Sequence, residues 1–99
     1  MKATVKVEIK ENWARQKYAL FYTDEYNIAE LDYPTDGELA KVFPMYDDRY
    51  VCFSSLPQGI IGAETAVRAF LFGKGYTEVE IKYPTELKNL RKQAFVDIK

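Results

Sequence analysis

Strict alternation between apolar and polar side chains near the start of the chain constrains the fold more than any other sequence feature. The apolar positions are Ala3, Val5, Val7 and Ile9, and the positions between them are Thr4, Lys6 and Glu8. A period of two with one polar face is typical of a strand whose other face is buried in an antiparallel or mixed sheet. Residues 76–83 alternate in the same way. The sequence therefore predicts a strand in each half of the chain.

A helical period is clearest from Ile60 to Phe72, where apolar residues recur on one face. Glu64 and Arg68 are spaced as a favourable i,i+4 pair on the other side, and Gly73 supplies a helix stop. A second, short basic helix is predicted to begin after Pro84, because proline followed by threonine and glutamate is typical of a helix start.

Shorter elements follow from local signals. Residues 26–33 and 50–53 favour strands, and residues 45–49 favour a turn with two aspartates at its tip. Residues 35–38, with the sequence Thr-Asp-Gly-Glu, have the form of a helix capping box, so a short helix is predicted before Pro44. Residues 95–98 favour a final edge strand.

Residues 12–23 fit either a helix or a strand, and periodicity does not decide between them. Residues 26–36 match residues 76–86 without gaps, which suggests a duplication of halves 1–49 and 50–99. The duplication would make residues 13–22 a helix and give a ferredoxin-like βαββαβ arrangement. Without it, the first three segments form an antiparallel meander.

These elements predict one α+β domain over residues 1–99. Its architecture would be a single small antiparallel or mixed sheet with two or three helices on one face, with the ferredoxin-like form as the alternative that the repeat favours. A chain of 99 residues has enough surface to bury one core and little more.

Composition excludes several function classes. The chain has no histidine and a net charge of −1, which excludes His-based catalysis, His zinc sites and a strongly basic nucleic-acid binder. No cofactor motif or metal cluster is present in the sequence, so no catalytic residue, cofactor or metal is predicted. The single cysteine, Cys52, stands in an apolar strand and is predicted to be a buried, inert thiol. Its isolation favours a reducing, cytoplasmic location, and no segment is long and apolar enough for a membrane.

Aromatic residues make up 15% of the chain, and eight of them are tyrosines whose hydroxyls need partners or water. The segment richest in residue types that dominate protein interfaces is the predicted turn, which is therefore the candidate protein-binding site. Its residues are Met45, Tyr46, Asp47, Asp48, Arg49 and Tyr50. The leading hypothesis is a small cytoplasmic regulator or inhibitor, of the size class carried by phages and mobile elements, that occupies a surface on a larger host or cognate protein. A homodimer is left open.

Two alternatives remain. The first is a module that binds a small ligand, a nucleotide or RNA through exposed tyrosines and a basic cluster, although the neutral charge disfavours nucleic acid. The candidate anion-binding residues are Lys82, Lys88, Arg91 and Lys92. The second is a minimal metal-dependent hydrolase that uses Asp and Glu, with Asp47 and Asp48 as the residues to test.

Overall fold

The computed structural model describes residues 1–35 and 39–96. Six strands and two helices lie in these ranges. The strands are β1 (Lys2–Glu11), β2 (Lys17–Tyr22), β3 (Asn27–Asp32), β4 (Ala40–Pro44), β5 (Val51–Phe53) and β6 (Glu78–Lys82), and the helices are α1 (Leu56–Gly73) and α2 (Thr85–Val96).

All six strands form one sheet in the order β5-β4-β3-β2-β1-β6. Neighbouring strands from β1 to β5 are antiparallel, whereas β6 lies parallel to β1, with Lys2 opposite Glu78 and Lys6 opposite Lys82. The sheet curls into a half-barrel. The predicted small sheet with two or three helices is therefore wrong, and so is the ferredoxin-like form, because five strands in succession pair with their neighbours before the first helix begins.

Residues 12–23 contain no helix: residues 12–16 form a turn and Lys17–Tyr22 forms strand β2, which one interpretation allowed. Asn12 closes the turn between β1 and β2, since its side-chain oxygen accepts hydrogen bonds from the backbone N–H groups of Ala14 and Gln16. Arg15 adopts a positive φ of 61°, which completes the tight turn. The helix that a duplication would place over residues 13–22 is wrong, and the duplication of the two halves itself stays a prediction.

The short helix predicted before Pro44 is also wrong, because this segment is β4. Ala40 and Val42 are buried on one side, while Lys41 and Phe43 lie on the other, which is the alternation of a strand. The capping-box residues Asp36–Glu38 lie outside the described residues. Cross-strand pairing of β4 with β3 and β5 outweighs the local helix signal.

The core lies between one face of the sheet and α1. Its largest fully buried side chains are Phe21, Ile28, Leu31, Ile60, Leu71, Leu87, Val5, Val42 and Val67. Ser55 caps α1, because its hydroxyl accepts a hydrogen bond from the N–H of Gln58. Two glycines let the helix approach the sheet closely: a Cβ at Gly59 would crowd Leu31, and one at Gly62 would overlap the ring of Phe53.

The chain after β6 packs as α2 against α1. Leu87 and Ala94 are fully buried along this contact. The edge strand predicted at residues 95–98 is wrong for Phe95 and Val96, which belong to α2, and residues 97 and 98 lie outside the described residues. Phe95 is exposed.

Candidate functional sites

A polar cleft of about 520 Å³ lies between α1, β6 and α2. At its wall, the Arg91 guanidinium contacts the Glu64 carboxylate at two points, with Nε 2.8 Å from Oε1 and Nη2 3.1 Å from Oε2. The Tyr83 hydroxyl donates to the same Oε1 at 2.8 Å, and Arg68 lies 3.7 Å from Oε2. Hydrogen bonds from Arg91 and Tyr83 and the charge of Arg68 thus converge on one carboxylate.

These contacts determine the ionisation of the cluster. Burial would raise the pKa of Glu64, but hydrogen bonds from Arg91 and Tyr83 and the nearby positive charges outweigh it, so the pKa lies below its ordinary value. Burial and the hydrogen bond to Glu64 raise the pKa of Tyr83. The Glu64 carboxylate is therefore ionised and already bound by Arg91 and Tyr83, and the cluster stabilises the contact between α1 and α2.

The predicted anion-binding cluster is not assembled as one site. Lys88 and Arg91 line the cleft, but Lys82 and Lys92 do not. The charge of Arg91 is compensated by Glu64. The cleft also contains the carboxylates of Glu78 and Glu80, so its charges of both signs are interspersed.

The predicted protein-binding residues lie together in the turn between β4 and β5. All six residues from Met45 to Tyr50 are exposed. The turn is braced by Asp47, whose carboxylate accepts a hydrogen bond from the N–H of Arg49 at 3.0 Å. That hydrogen bond lowers the pKa of Asp47.

The two tyrosines of this turn lie on opposite sides of the sheet. Tyr46 lies on the helix side: its ring stacks on Phe70 with centroids 4.9 Å apart, and its hydroxyl donates to the Ala66 carbonyl at 3.3 Å. Tyr50 lies on the other side, with its ring 5.1 Å from that of Phe43 and 5.7 Å from the Lys41 ammonium. The six residues therefore wrap around an edge of the sheet instead of forming one flat patch.

This edge is β5, and it differs from the opposite edge. Strand β6 carries the exposed charges of Glu78, Glu80 and Lys82, and Arg68 donates a hydrogen bond of 2.8 Å to the outward-pointing carbonyl of Val79. Charges and capped carbonyls are devices that prevent a further strand from pairing at an edge. Strand β5, with the sequence Val-Cys-Phe, carries no charge, and Val51 is 53% exposed.

The backbone of β5 offers hydrogen-bonding groups at its open side. The N–H of Met45 donates to the carbonyl of Ile28, which fixes the residues of β4 that face β3. By the alternation of an antiparallel ladder, Val51 and Phe53 then face β4, and the N–H and C=O of Cys52 point away from the sheet. Cys52 is an exposed free thiol, so its prediction as a buried one is wrong. We refer to Val51–Phe53, with the exposed residues Leu39 and Met45–Tyr50 beside them, as the β5 edge.

Sequence reasoning missed Val51, Cys52 and Leu39 as candidate surface residues. An apolar run is the same in a central strand and in an edge strand, and nothing in the composition of β5 marks it as the last strand of the sheet. It also missed Trp13, which is 97% exposed at the tip of the β1–β2 turn. A tryptophan in a short polar turn would have been a usable signal.

Within residues 1–35 and 39–96, no helix is long and apolar enough to span a bilayer. The same part of the chain brings together no group of three Cys, Asp or Glu side chains that could hold a metal ion. Comparison with protein-family models, with curated proteins and with solved structures finds no match to this chain.

Proposed function

We propose that this chain is a protein-binding module that docks on a larger partner protein through the β5 edge. In this proposal an extended segment of the partner adds to β5 as a further strand. Main-chain hydrogen bonds to Cys52 supply affinity, and side chains on alternate positions supply specificity.

The observation that carries the proposal is the contrast between the two edges of one sheet. Strand β6 has three charged side chains and an arginine on its outward carbonyl, whereas strand β5 itself has neither. An edge strand that has no charged residue and an exposed valine is a template for strand pairing, which natural proteins ordinarily avoid.

The flanks of the β5 edge support the same function. Tyr46 and Tyr50 are held on either side of the sheet by contacts with Phe70 and Phe43, so their rings lose little freedom when a partner arrives. Met45 and Leu39 are about half exposed at the two ends of β4, the strand next to β5. Tyrosine and methionine are residue types enriched at protein interfaces.

A regulatory or inhibitory role in the cytoplasm is part of this proposal. A free thiol exposed at a binding edge suits a reducing compartment, where it stays reduced. A small domain that covers a partner's surface can act by blocking it, without chemistry of its own.

The two other functions have weaker support. Binding of an anion or nucleic acid would require free cations, but Arg91 is compensated by Glu64, and Lys82 lies apart from the cleft. A hydrolase would use Asp47 and Asp48, yet Asp47 is engaged in bracing its own turn.

The experiment is selection of binding peptides from a random display library, first on the wild type and then on two variants. Val51→Lys introduces a charge into strand β5. Glu78→Lys is the matched control, because Glu78 is an exposed residue of β6 at the opposite edge of the sheet. Both variants are checked for folding by circular dichroism.

We expect peptides that bind the wild type and Glu78→Lys but bind Val51→Lys at least about tenfold more weakly, because a buried lysine in the new ladder costs more than 1.4 kcal/mol. Amide hydrogen exchange of Cys52 should slow in the complex. Peptides that bind all three proteins equally, or a library that yields none, would refute the proposal.

A further inference from the structure

We infer that the β5 edge also pairs with the β5 edge of a second copy of this chain, so that the protein without its partner is a homodimer with one continuous sheet. This inference rests on the proposed function in that both use the same edge. It adds a form of regulation, because the partner's segment must displace the second copy.

The register of β5 suits pairing about a twofold axis. Strand β5 has three residues with Cys52 at its centre, and the N–H and C=O of Cys52 point outward. A twofold axis through this point pairs Cys52 with Cys52 of the second copy in antiparallel orientation, and the two residues exchange both backbone hydrogen bonds. The open backbone groups of each copy thus satisfy those of the other.

The side chains along β5 are complementary under that symmetry. Val51 lies opposite Phe53 of the second copy on the helix side, and Tyr50 lies opposite Ser54 on the other side. No like charges oppose each other along these positions. The same operation on β6, through the outward-facing Val79, would place Glu78 against Glu80 of the second copy and would compete with Arg68 for the Val79 carbonyl, which disfavours pairing.

Two exposed apolar residues flank the strand next to β5. Leu39 precedes β4 at one end of the edge, and Met45 follows β4 at the other. Because the copies run antiparallel, the Leu39 end of one copy meets the Met45 end of the other. Leu39 and Met45, which are each about half exposed in the monomer, then become more buried at the interface.

The strength of the dimer follows from its size. A three-residue strand with a few flanking side chains buries less than the roughly 800 Å² per partner of a standard interface. We therefore expect a weak dimer whose population depends on concentration, and which a longer partner segment with additional contacts can displace.

The test is sedimentation of the purified chain over a wide concentration range, with thiol cross-linking as a second measurement. The variant Cys52→Asp places like charges against each other at the twofold axis, and Cys52→Ser is its neutral control. A short bis-maleimide bridges thiols that lie close together. The cross-linking control is the double variant Cys52→Ser with Glu80→Cys, which moves the only thiol to the central residue of β6 at the opposite edge of the sheet.

We expect the average mass to double with rising concentration for the wild type and Cys52→Ser. Cys52→Asp should weaken association at least about tenfold, because like charges in contact cost more than 1.4 kcal/mol. Cross-linked dimer should form through Cys52 and not through the thiol moved to β6. A wild type that stays monomeric, association that Cys52→Asp leaves unchanged, or equal cross-linking at both positions would each overturn the inference.

The same variants separate this inference from the proposed function. If the wild type is monomeric but still selects peptides, and Val51→Lys does not bind them, the homodimer is rejected and binding of a larger partner is retained. If a dimer forms through Cys52 but no peptide is selected, binding of a larger partner is rejected and self-association is retained.

Discussion

The guanidinium of Arg91 on α2 is held against the carboxylate of Glu64 on α1 by two parallel hydrogen bonds of 2.8 and 3.1 Å. The Glu64 side chain is only 14% exposed, so this pair is shielded from water more than an ordinary surface ion pair. It joins α1 to α2 across the contact between the two helices.

Arg91→Lys should destabilise the fold by about 1–2 kcal/mol, because lysine keeps the charge but not the two-pronged geometry that matches a carboxylate. Urea unfolding followed by circular dichroism measures the change. The neighbouring exposed position is the control: Lys92→Ala should alter stability by less than about 0.5 kcal/mol. Equal losses in both variants would show that the paired geometry contributes nothing.

Two tyrosines should respond in opposite ways to loss of their hydroxyls. Tyr83→Phe removes a 2.8 Å hydrogen bond to Glu64 and should cost about 1–1.5 kcal/mol. The Tyr33 hydroxyl is buried without a hydrogen-bond partner among the described residues, so Tyr33→Phe should leave stability unchanged or raise it by up to about 1 kcal/mol. Thermal or urea unfolding of the two variants checks both signs, and a larger loss at Tyr33 would contradict them.

Gly62→Ala should destabilise the protein by about 1–3 kcal/mol, because the added methyl group overlaps the ring of Phe53. Gly73 is the matched control, since nothing lies within 4 Å of a Cβ built there, and Gly73→Ala should be neutral or slightly stabilising. Phe53→Leu should partly relieve the effect of Gly62→Ala, which a double-mutant cycle would reveal as non-additivity. Strictly additive losses would argue against the overlap.

The pKa of Glu30 is raised from 4.5 to about 7, chiefly by burial between strands and further by Asp32 beside it. The folded state therefore holds a proton that the unfolded chain releases at lower pH. Stability from this group is present below pH 4.5 and is lost as the pH rises to about 7, which is the sign expected for a carboxyl group with a raised pKa.

Glu30→Gln should thus be more stable than the wild type at pH 8, by about 1 kcal/mol after allowance for partial exposure, and close to it at pH 4. Unfolding free energies measured across this range give the difference. Glu25→Gln, at an exposed position of the β2–β3 turn, is the control for replacing a glutamate by glutamine. A Glu30→Gln difference that is the same at both pH values would exclude the proton linkage.

Sequence patterns predicted the elements whose periodicity is long and unbroken. Strand β1 and helix α1 follow directly from periods of two and of about 3.6. Strand β4 was missed because a capping-box signal preceded a segment too short to have a period of its own, and pairing with two neighbouring strands overrode it. Strand β2 was ambiguous for the same reason of length.

The candidate binding site could also be predicted only in part. The exposed turn at residues 45–49 could be found from its aspartates and aromatic residues. That Tyr46 and Tyr50 lie on opposite faces could not, because this depends on where α1 crosses the sheet. Cys52 was assigned to the interior, since an apolar edge strand and an apolar central strand have the same composition.

The parallel pairing of β1 with β6 has a consequence for how the chain acquires its structure. Strands β1 to β5 can join one after another through short turns, but β6 pairs with residues 76 positions away in the chain, and α1 lies between β5 and β6. Contacts of such long range form slowly, because the entropy of closing the loop is lost before the contact is gained. Until β6 pairs with it, the ten-residue strand β1 is an unpaired edge strand of the sheet. Chains still emerging from the ribosome are therefore the species most prone to aggregation.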